Sequence, residues 1–215
     1  MTSTPKPAIA RSTYRHGDLR RALLEAGIEL ARSGGPAAVV LREATRRAGV
    51  APNAAYRHFA SRLALLQAVR AAALSALAVA MEAELAALPD GLPPAAFARA
   101  SVRAVGTGYL RFARAETGLF RTAFAASGDL QPGAPDPAKA GQSGLNPFEL
   151  LGAALDRLVT AGVMPPERRP GAEFLAWSAV HGLAMLVIDG PLASVVGPQM
   201  ELVGQRLLDM VEKGL

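Results

Sequence analysis

The chain has 215 residues, 51% of them hydrophobic, with a formal net charge of +5 and no cysteine. That length supports one large or two small domains with a real core, and the missing cysteine excludes disulfides, thiolate chemistry and cysteine metal sites. No uninterrupted apolar run approaches the ~20 residues that cross a bilayer, and no apolar stretch with a small-residue cleavage site opens the sequence, so neither a spanning helix nor a secretory signal is expected.

In chain order, residues 1–13 are polar and proline-containing and read as a flexible basic arm, whose Lys6 and Arg11 can enter a minor groove. A mobile tail without fixed contacts has the same composition. A first helix is predicted over 18–32, with Leu19, Leu23, Ala26 and Leu30 on one stripe, ending at the breakers Ser33-Gly34-Gly35-Pro36. Two short helices follow, 41–48 and 52–59. In the first, Leu41, Ala44, Thr45 and Ala48 recur at i, i+3, i+4 and i+7. Gly49 stands where a helix closes on a left-handed residue, and Pro52 suits a first helical position, since its missing N–H would be unpaired there anyway. Two helices joined this way form a helix-turn-helix, which lays its second helix in the major groove of DNA.

Ser61 is the expected N-cap of a long alanine-rich helix over 62–88, which at 1.5 Å per residue spans about 40 Å. A helix over 95–114 carries Phe97, Val105, Tyr109 and Phe112. Gly106 and Gly108 inside it cost about 1 kcal/mol each relative to alanine and mark close helix contact more readily than a hinge. A shorter helix, 117–125, presents Leu119, Phe120, Ala123 and Phe124. Residues 127–144 lack periodicity and read as a lid or a disordered loop. Asn146-Pro147-Phe148-Glu149 starts the next helix, to 161, with a cap, a first-position proline and an acid at the third position. A strongly apolar helix over 171–187 and a last one over 199–212 complete the chain, the last with Met200, Val203, Leu207, Met210 and Val211 on one side. No strand-like alternation appears. The fold class is all-α with about nine helices and a boundary near residues 60–70.

Charge is unevenly placed. The first 70 residues hold twelve Lys or Arg against four acids, a net +8, whereas the remainder holds eleven bases and fourteen acids, a net −3. A cationic head on a mildly anionic body is the footprint of a polyanion-binding module joined to something else. Anionic lipid is the competing partner. The cations gather around the turn motif and not along one apolar-backed helix, which favours nucleic acid.

Tyr56 and His58 flank Arg57, and Arg62 follows; a phenol, an imidazole and guanidinium groups placed so closely can bond consecutive phosphates. Arg42, Asn53 and Arg57 are candidates for base edges, because Arg pairs bidentately with guanine and Asn with adenine, and Arg42 can equally reach a phosphate. Any one of these residues alone fits a solvated polar face equally well. In the body, Phe174, Trp177, His181 and Met185 share one helix face at 3–4–4 spacing, and Trp177 is the single tryptophan. With Phe120, Phe124 and Phe148 as further walls, they can line an apolar pocket with His181 as its polar anchor. An ordinary core, with His181 bonded to a carbonyl, produces the same spacing. The three histidines offer no pair at metal-ligand spacing, and no phosphate loop, zinc-protease motif or nucleophile elbow occurs. No catalytic constellation, metal or cofactor is expected.

The segment from about residue 14 to 69 runs through Tyr14-Arg15-His16-Gly17-Asp18-Leu19-Arg20, Leu41-Arg42-Glu43, Gly49-Val50 and Tyr56-Arg57-His58-Phe59 to Ser61-Arg62. It resembles the tetracycline-repressor (TetR) family of bacterial transcriptional regulators. Trp177 followed by His181-Gly182 resembles the C-terminal domain of one TetR-like subgroup, the Trp-x-x-x-His-Gly pattern. Val40 and Ala51 depart from the family's usual Ser or Thr caps, a loss of about 1 kcal/mol each, and Glu43 is expected to restore half a capping box at Val40. The resemblance implies a DNA-binding domain over 14–65 and a helical effector-binding and dimerisation domain over 66–215, behind the arm at 1–13. It implies DNA contacts from Arg42, Pro52, Asn53, Tyr56, Arg57, His58 and Arg62. It further implies a homodimer closed by the last two long helices, a near-palindromic double-stranded operator and a cytoplasmic repressor, not an enzyme, released by a small apolar ligand. A reading from another class is a helical carrier or sensor of apolar ligands whose basic head contacts a membrane.

Overall fold

Ten α-helices and three short 3-10 turns account for the regular structure of residues 16–125 and 136–215, the part of the chain that this computed structural model describes. No strand occurs among these residues, in keeping with the all-α expectation. The predicted arm at 1–13 lies outside them, as does the first half of the predicted 127–144 loop.

The head comprises α1 (His16–Ala38), α2 (Leu41–Arg47) and α3 (Pro52–Ala55). Leu19, Leu23, Ala26 and Leu30 of α1 are buried as their spacing requires, together with Leu41, Ala44 and Ala55 and with Phe59 just beyond α3. The first helix does not stop at 32. It runs on to Gly35, whose φ of 66° breaks the helical path before Pro36 opens a further turn. The second motif helix is shorter than predicted: α3 ends at Ala55, and Tyr56 to His58 form a turn closed by His58 and Phe59 amides on the Ala55 carbonyl, both at 2.9 Å.

Ser61 caps α4 (Arg62–Ala86) by accepting from the Ala64 amide at 3.1 Å. By length and composition α4 is apolar enough to cross a membrane, although Gln67, Arg70 and Ser75 interrupt its apolar run as the sequence showed. Its larger apolar residues other than Leu63 and Val79 have partners within the protein, however. Leu65, Leu66, Val69, Leu77 and Met81 are buried, and the helix packs against α1 and against the body helices introduced next.

The body comprises α5 (Pro94–Ala115), α6 (Thr117–Ala123), α7 (Pro147–Thr160), α8 (Ala172–Ile188), the one-turn α9 (Ala193–Val196) and α10 (Met200–Gly214). α4 contacts α5, α6 and α7. The two mid-helix glycines of α5 mark close approach, as expected. A side-chain carbon on Gly108 would lie 2.7 Å from Met81 Cα in α4, and one on Gly106 would overlap Leu208 of α10. Asn146 and Glu149 form the predicted capping box of α7: Asn146 Oδ1 accepts from the Phe148 and Glu149 amides at 2.9 and 3.0 Å, and Glu149 accepts from the Asn146 amide at 2.8 Å.

α10 departs from its predicted single stripe. Met200, Gly204 and Leu208 are buried, whereas Leu202 and Met210 point outward at 59% and 61% exposure. Along α5 the helix is seated by a polar ladder: Arg99 to Glu212 at 2.9 Å, Arg103 to Asp209, Gln205 to Thr107 at 3.4 Å and Arg111 to Glu201 at 3.3 Å.

Candidate functional site

The turn between α2 and α3 closes as a Schellman motif. Gly49 takes φ 68°, its amide donates to the Arg46 carbonyl at 3.3 Å, and the Val50 amide reaches back to the Thr45 carbonyl at 3.0 Å. Two carbonyls left over at the end of α2 are thereby paired, and glycine adopts the required φ without steric cost. Neither Val40 nor Ala51 supplies a side-chain cap, as their residue types dictate. Glu43 does not compensate. Its carboxylate is taken by Arg46, at 2.8 and 2.5 Å, and by Arg47 at 3.4 Å, and the Arg46 bond holds it well below the usual carboxylate range, at about 2. Two guanidinium groups one turn along the helix outcompete a single backbone N–H.

Around α3 the polar groups divide into two sets. Arg42, Asn53, Tyr56 and Arg57 are exposed, and His58 is half-buried. Pro52 is the first residue of α3. Arg42 and Arg57 make no ion pair among the described residues, so their charge faces outward unneutralised. Arg62 belongs to the second set. Its Nε donates to the Val39 carbonyl at 2.8 Å and its Nη2 to the Pro36 carbonyl at 2.9 Å. The side chain read from sequence as a phosphate contact forms a brace from the first turn of α4 to the α1–α2 junction. The Val39 carbonyl lies just past the end of α1 and the Pro36 carbonyl accepts a long 3.4 Å bond from the Val39 amide, and a guanidinium carries enough donors to serve both. Arg20 stacks over Phe59 at 5.2 Å and helps seat that ring beneath the motif. Sequence spacing alone gave no sign of either contact.

In the body the predicted pocket residues do meet. Phe120 of α6, Phe124 just past its end, Phe148 of α7, and Phe174, Trp177 and His181 of α8 form one continuous ring cluster, with centroid separations between 4.8 and 6.1 Å for neighbouring pairs. Met185, one turn further along α8, is half-buried against the core. At the centre stands Tyr109 of α5, which the sequence reading placed on its helix but not in the site. Tyr109 Oη lies 2.7 Å from His181 Nδ1 and 3.2 Å from Trp177 Nε1. A lone phenol beside two closely packed glycines was its only signal. Burial raises the Tyr109 hydroxyl above its ordinary pKa and lowers the His181 imidazole below its own. The cluster is buried at one end, where Phe120 and Tyr109 sit, and open at the other, where Phe148 and Phe174 are 40% and 59% exposed.

Two cavities lie elsewhere. One of about 420 Å³ runs between α5 and α10, past Arg111, Arg114, Met200 and Gly204. One of about 260 Å³ lies beside Pro137, Gly141 and Glu149. That second region is fastened to α4. Glu82 accepts from the Gln142 amide (2.8 Å), the Ser143 amide (2.9 Å) and the Ser143 hydroxyl (2.5 Å), and Ser75 donates to the Ala140 carbonyl at 2.6 Å. No group of three or more metal-ligating side chains occurs among the described residues.

The description "Bacterial regulatory proteins, tetR family" matches residues 23–69, and "Tetracyclin repressor-like, C-terminal domain" matches residues 102–211. No curated protein matches the chain. Among solved structures, a protein of unknown function from Rhodococcus sp. RHA1 is 25% identical, with a TM-score of 0.72 over 95% of this chain and 99% of that one. The TetR family transcriptional regulator PfmR from Thermus thermophilus is 21% identical, with a TM-score of 0.57 over 90% of this chain and 98% of that one. A TetR variant from Acinetobacter baumannii AYE, solved in complex with minocycline, is 19% identical, with a TM-score of 0.54 over 89% and 93%. The first match covers the helix-turn-helix head and the second takes in half the chain within the helical body, so the chain belongs to the TetR family of bacterial transcriptional regulators.

Proposed function

We propose that this chain is a repressor that binds a near-palindromic DNA operator as a homodimer and leaves it when a small apolar ligand enters the body. One observation carries the DNA reading: Arg42, Asn53, Tyr56 and Arg57 lie exposed around a glycine-closed turn, in the part of the chain (residues 1–70) that carries a net +8. In this reading 14–65 is the DNA-binding domain, 66–215 the effector and dimer domain, and 1–13 a basic arm. Tyr56, Arg57 and His58 meet phosphates, while Arg42 and Asn53 read base edges. Acting on DNA, the protein works in the cytoplasm.

Dimerisation is supported by large apolar side chains left exposed in the monomer. Leu175 and Leu186 of α8 are 68% and 45% exposed, alongside Leu202 and Met210 of α10. A side-chain carbon on Gly182, between the two α8 leucines, would meet nothing within 4 Å. Leucines flanking small residues allow two helices to approach closely across a two-fold axis. Two heads held in this way present their recognition elements about one DNA turn apart, ~34 Å.

Release follows from linkage: a ligand favouring one head spacing weakens DNA binding by the same factor that DNA weakens ligand binding. α6 is the mechanical candidate. It carries Phe120 of the ring cluster and leads directly into Phe124, and at its start a side-chain carbon on Gly118 would overlap the carbonyl oxygens of Ala31 and Arg32 in α1, with Glu116 paired to Arg32 at 2.8 Å. Selection of bound fragments from genomic DNA tests the proposal. A shared near-palindrome is expected, with Asn53→Ala relaxing preference at one base position per half-site. Recovery of unrelated fragments, together with equal binding to anionic vesicles, would instead favour the carrier with a membrane-contacting head.

A further inference from the structure

The hydrogen bonds inside the ring cluster have a direction. An indole N–H can only donate, so Trp177 Nε1 gives its proton to Tyr109 Oη at 3.2 Å. Tyr109 is 4% exposed, and its own proton has one acceptor among the described residues, His181 Nδ1 at 2.7 Å. In the opposite arrangement, with the proton on Nδ1, the phenol oxygen would receive two donors and its hydroxyl hydrogen would be left unpaired in the core. An unmet buried donor costs about 1–3 kcal/mol. The relay therefore runs Trp177 to Tyr109 to His181, and Nδ1 presents its lone pair.

Two consequences follow for His181. It is neutral, because Nδ1 is already an acceptor and burial disfavours the charged ring. Its single proton sits on Nε2, which has no partner among the described residues. Nε2 is also not sealed off, since the only buried unpaired side-chain nitrogens or oxygens among those residues are Arg121 Nε and one Arg157 Nη. The groups in bonding or ring contact with His181 are Tyr109, Phe120, Phe124 and Trp177, none of them charged at neutral pH.

We propose that His181 Nε2–H is the specificity-determining donor of the effector site, and that it selects a flat apolar molecule bearing a neutral acceptor, such as a ketone, ester, lactone or amide carbonyl. Tyr109 is the positioning residue that fixes the tautomer. The inference rests on the reading of the ring cluster as the effector site. A carboxylate would be desolvated among rings with no cation to answer it. An ammonium would gain from the ring faces but would meet an N–H pointing at it and no free lone pair. A hydrocarbon would leave the N–H unpaired.

Four probes sharing one ring system test this by calorimetry on the full chain: 2-acetylnaphthalene, 2-isopropenylnaphthalene, 2-naphthoate and (2-naphthylmethyl)trimethylammonium. The ketone should bind about tenfold tighter than its isopropenyl isostere, as one neutral hydrogen bond allows, and at least as far ahead of the two ions. His181→Phe should erase the ketone's advantage, and Tyr109→Phe should shrink it by freeing the tautomer. Nitrogen-15 NMR of the unmodified chain should find His181 neutral and protonated on Nε2, which decides the tautomer without any substitution. Protonation on Nδ1, or tighter binding of either ion than of the ketone, overturns the proposal. Equal binding of ketone and isostere removes the donor role but leaves the effector site standing. Failure of all four to bind overturns the site and the proposal together.

Discussion

Gly118, at the start of α6, lies so close to Arg32 in α1 that a single added carbon would strike the Arg32 carbonyl. The neighbouring Arg32–Glu116 ion pair, at 2.8 Å, closes the same junction from the side. Body and head meet there through backbone. A carbonyl at a helix end cannot rotate away as a side chain can, so any shift of α6 is passed to α1 with little loss.

Gly118→Ala should therefore force the two helices apart. Overpacking of this kind costs about 1–3 kcal/mol, read as a lowered melting temperature, and operator affinity should fall in parallel. A variant with wild-type melting and wild-type affinity would mean that the junction yields freely.

Arg57 and Arg62 should behave differently when truncated, although both are cationic and close in sequence. Arg57→Ala should flatten the slope of log affinity against log salt by about 0.9, the loss of one phosphate contact. Arg62→Ala should leave that slope near wild type and lower stability by about 1 kcal/mol, because its two described bonds end on the Val39 and Pro36 carbonyls. A flattened slope for Arg62→Ala would return that residue to the DNA contacts.

Leu202→Asp is the sharper probe of the dimer. Leu207, on the stripe predicted from sequence, is half-buried against the protein's own core, so a charge there would damage the monomer as well. Leu202 is exposed and a carboxylate there is solvated in a monomer but trapped in a dimer seam, at a cost of several kcal/mol. Sedimentation should show a folded monomer with normal helical content and weakened operator binding. A stable dimer would place the interface elsewhere.

Glu82 should make stability depend on acid. Burial works to raise its pKa, but the bonds from the Ser143 hydroxyl and the Ser143 and Gln142 amides outweigh it, leaving the carboxyl below its ordinary value. A group depressed on folding contributes stability that is full above its unfolded pKa, about 4.3, and is lost as pH falls through the native value. Denaturant midpoints should therefore drop less steeply below pH 4.5 in Glu82→Gln than in wild type. At pH 7 the substitution should cost about 1 kcal/mol, discounted for solvent around the half-exposed carboxylate. Identical acid profiles would show that the 136–145 segment is held by other contacts.

Much of the fold was legible in sequence because its signals are local. The i, i+3, i+4 stripes of α1 and α2, Gly49 at a left-handed turn, Ser61 and Asn146 as caps, and the proline that opens α3 each depend on a few neighbouring residues. The family signature around α2 and α3 belongs to the same class of signal. So does the 3–4–4 face of α8, since helical spacing alone places Phe174, Trp177 and His181 together.

Tertiary structure decided which partner each side chain meets. Arg62 turned toward two carbonyls at the α1–α2 junction, 23 and 26 residues away along the chain. Glu43 chose Arg46 over its own cap, and α10 divided its apolar residues between α5 and solvent. Tyr109 entered the ring cluster because Gly108 lets α5 lie close against Met81 of α4, and because Trp177 and His181 arrive from α8, 68 and 72 residues later. Spacing within a helix records which face a residue occupies. What that face meets is set by the packing of distant helices, whose energies come from shape and hydrogen-bond satisfaction and leave no periodic trace in the sequence.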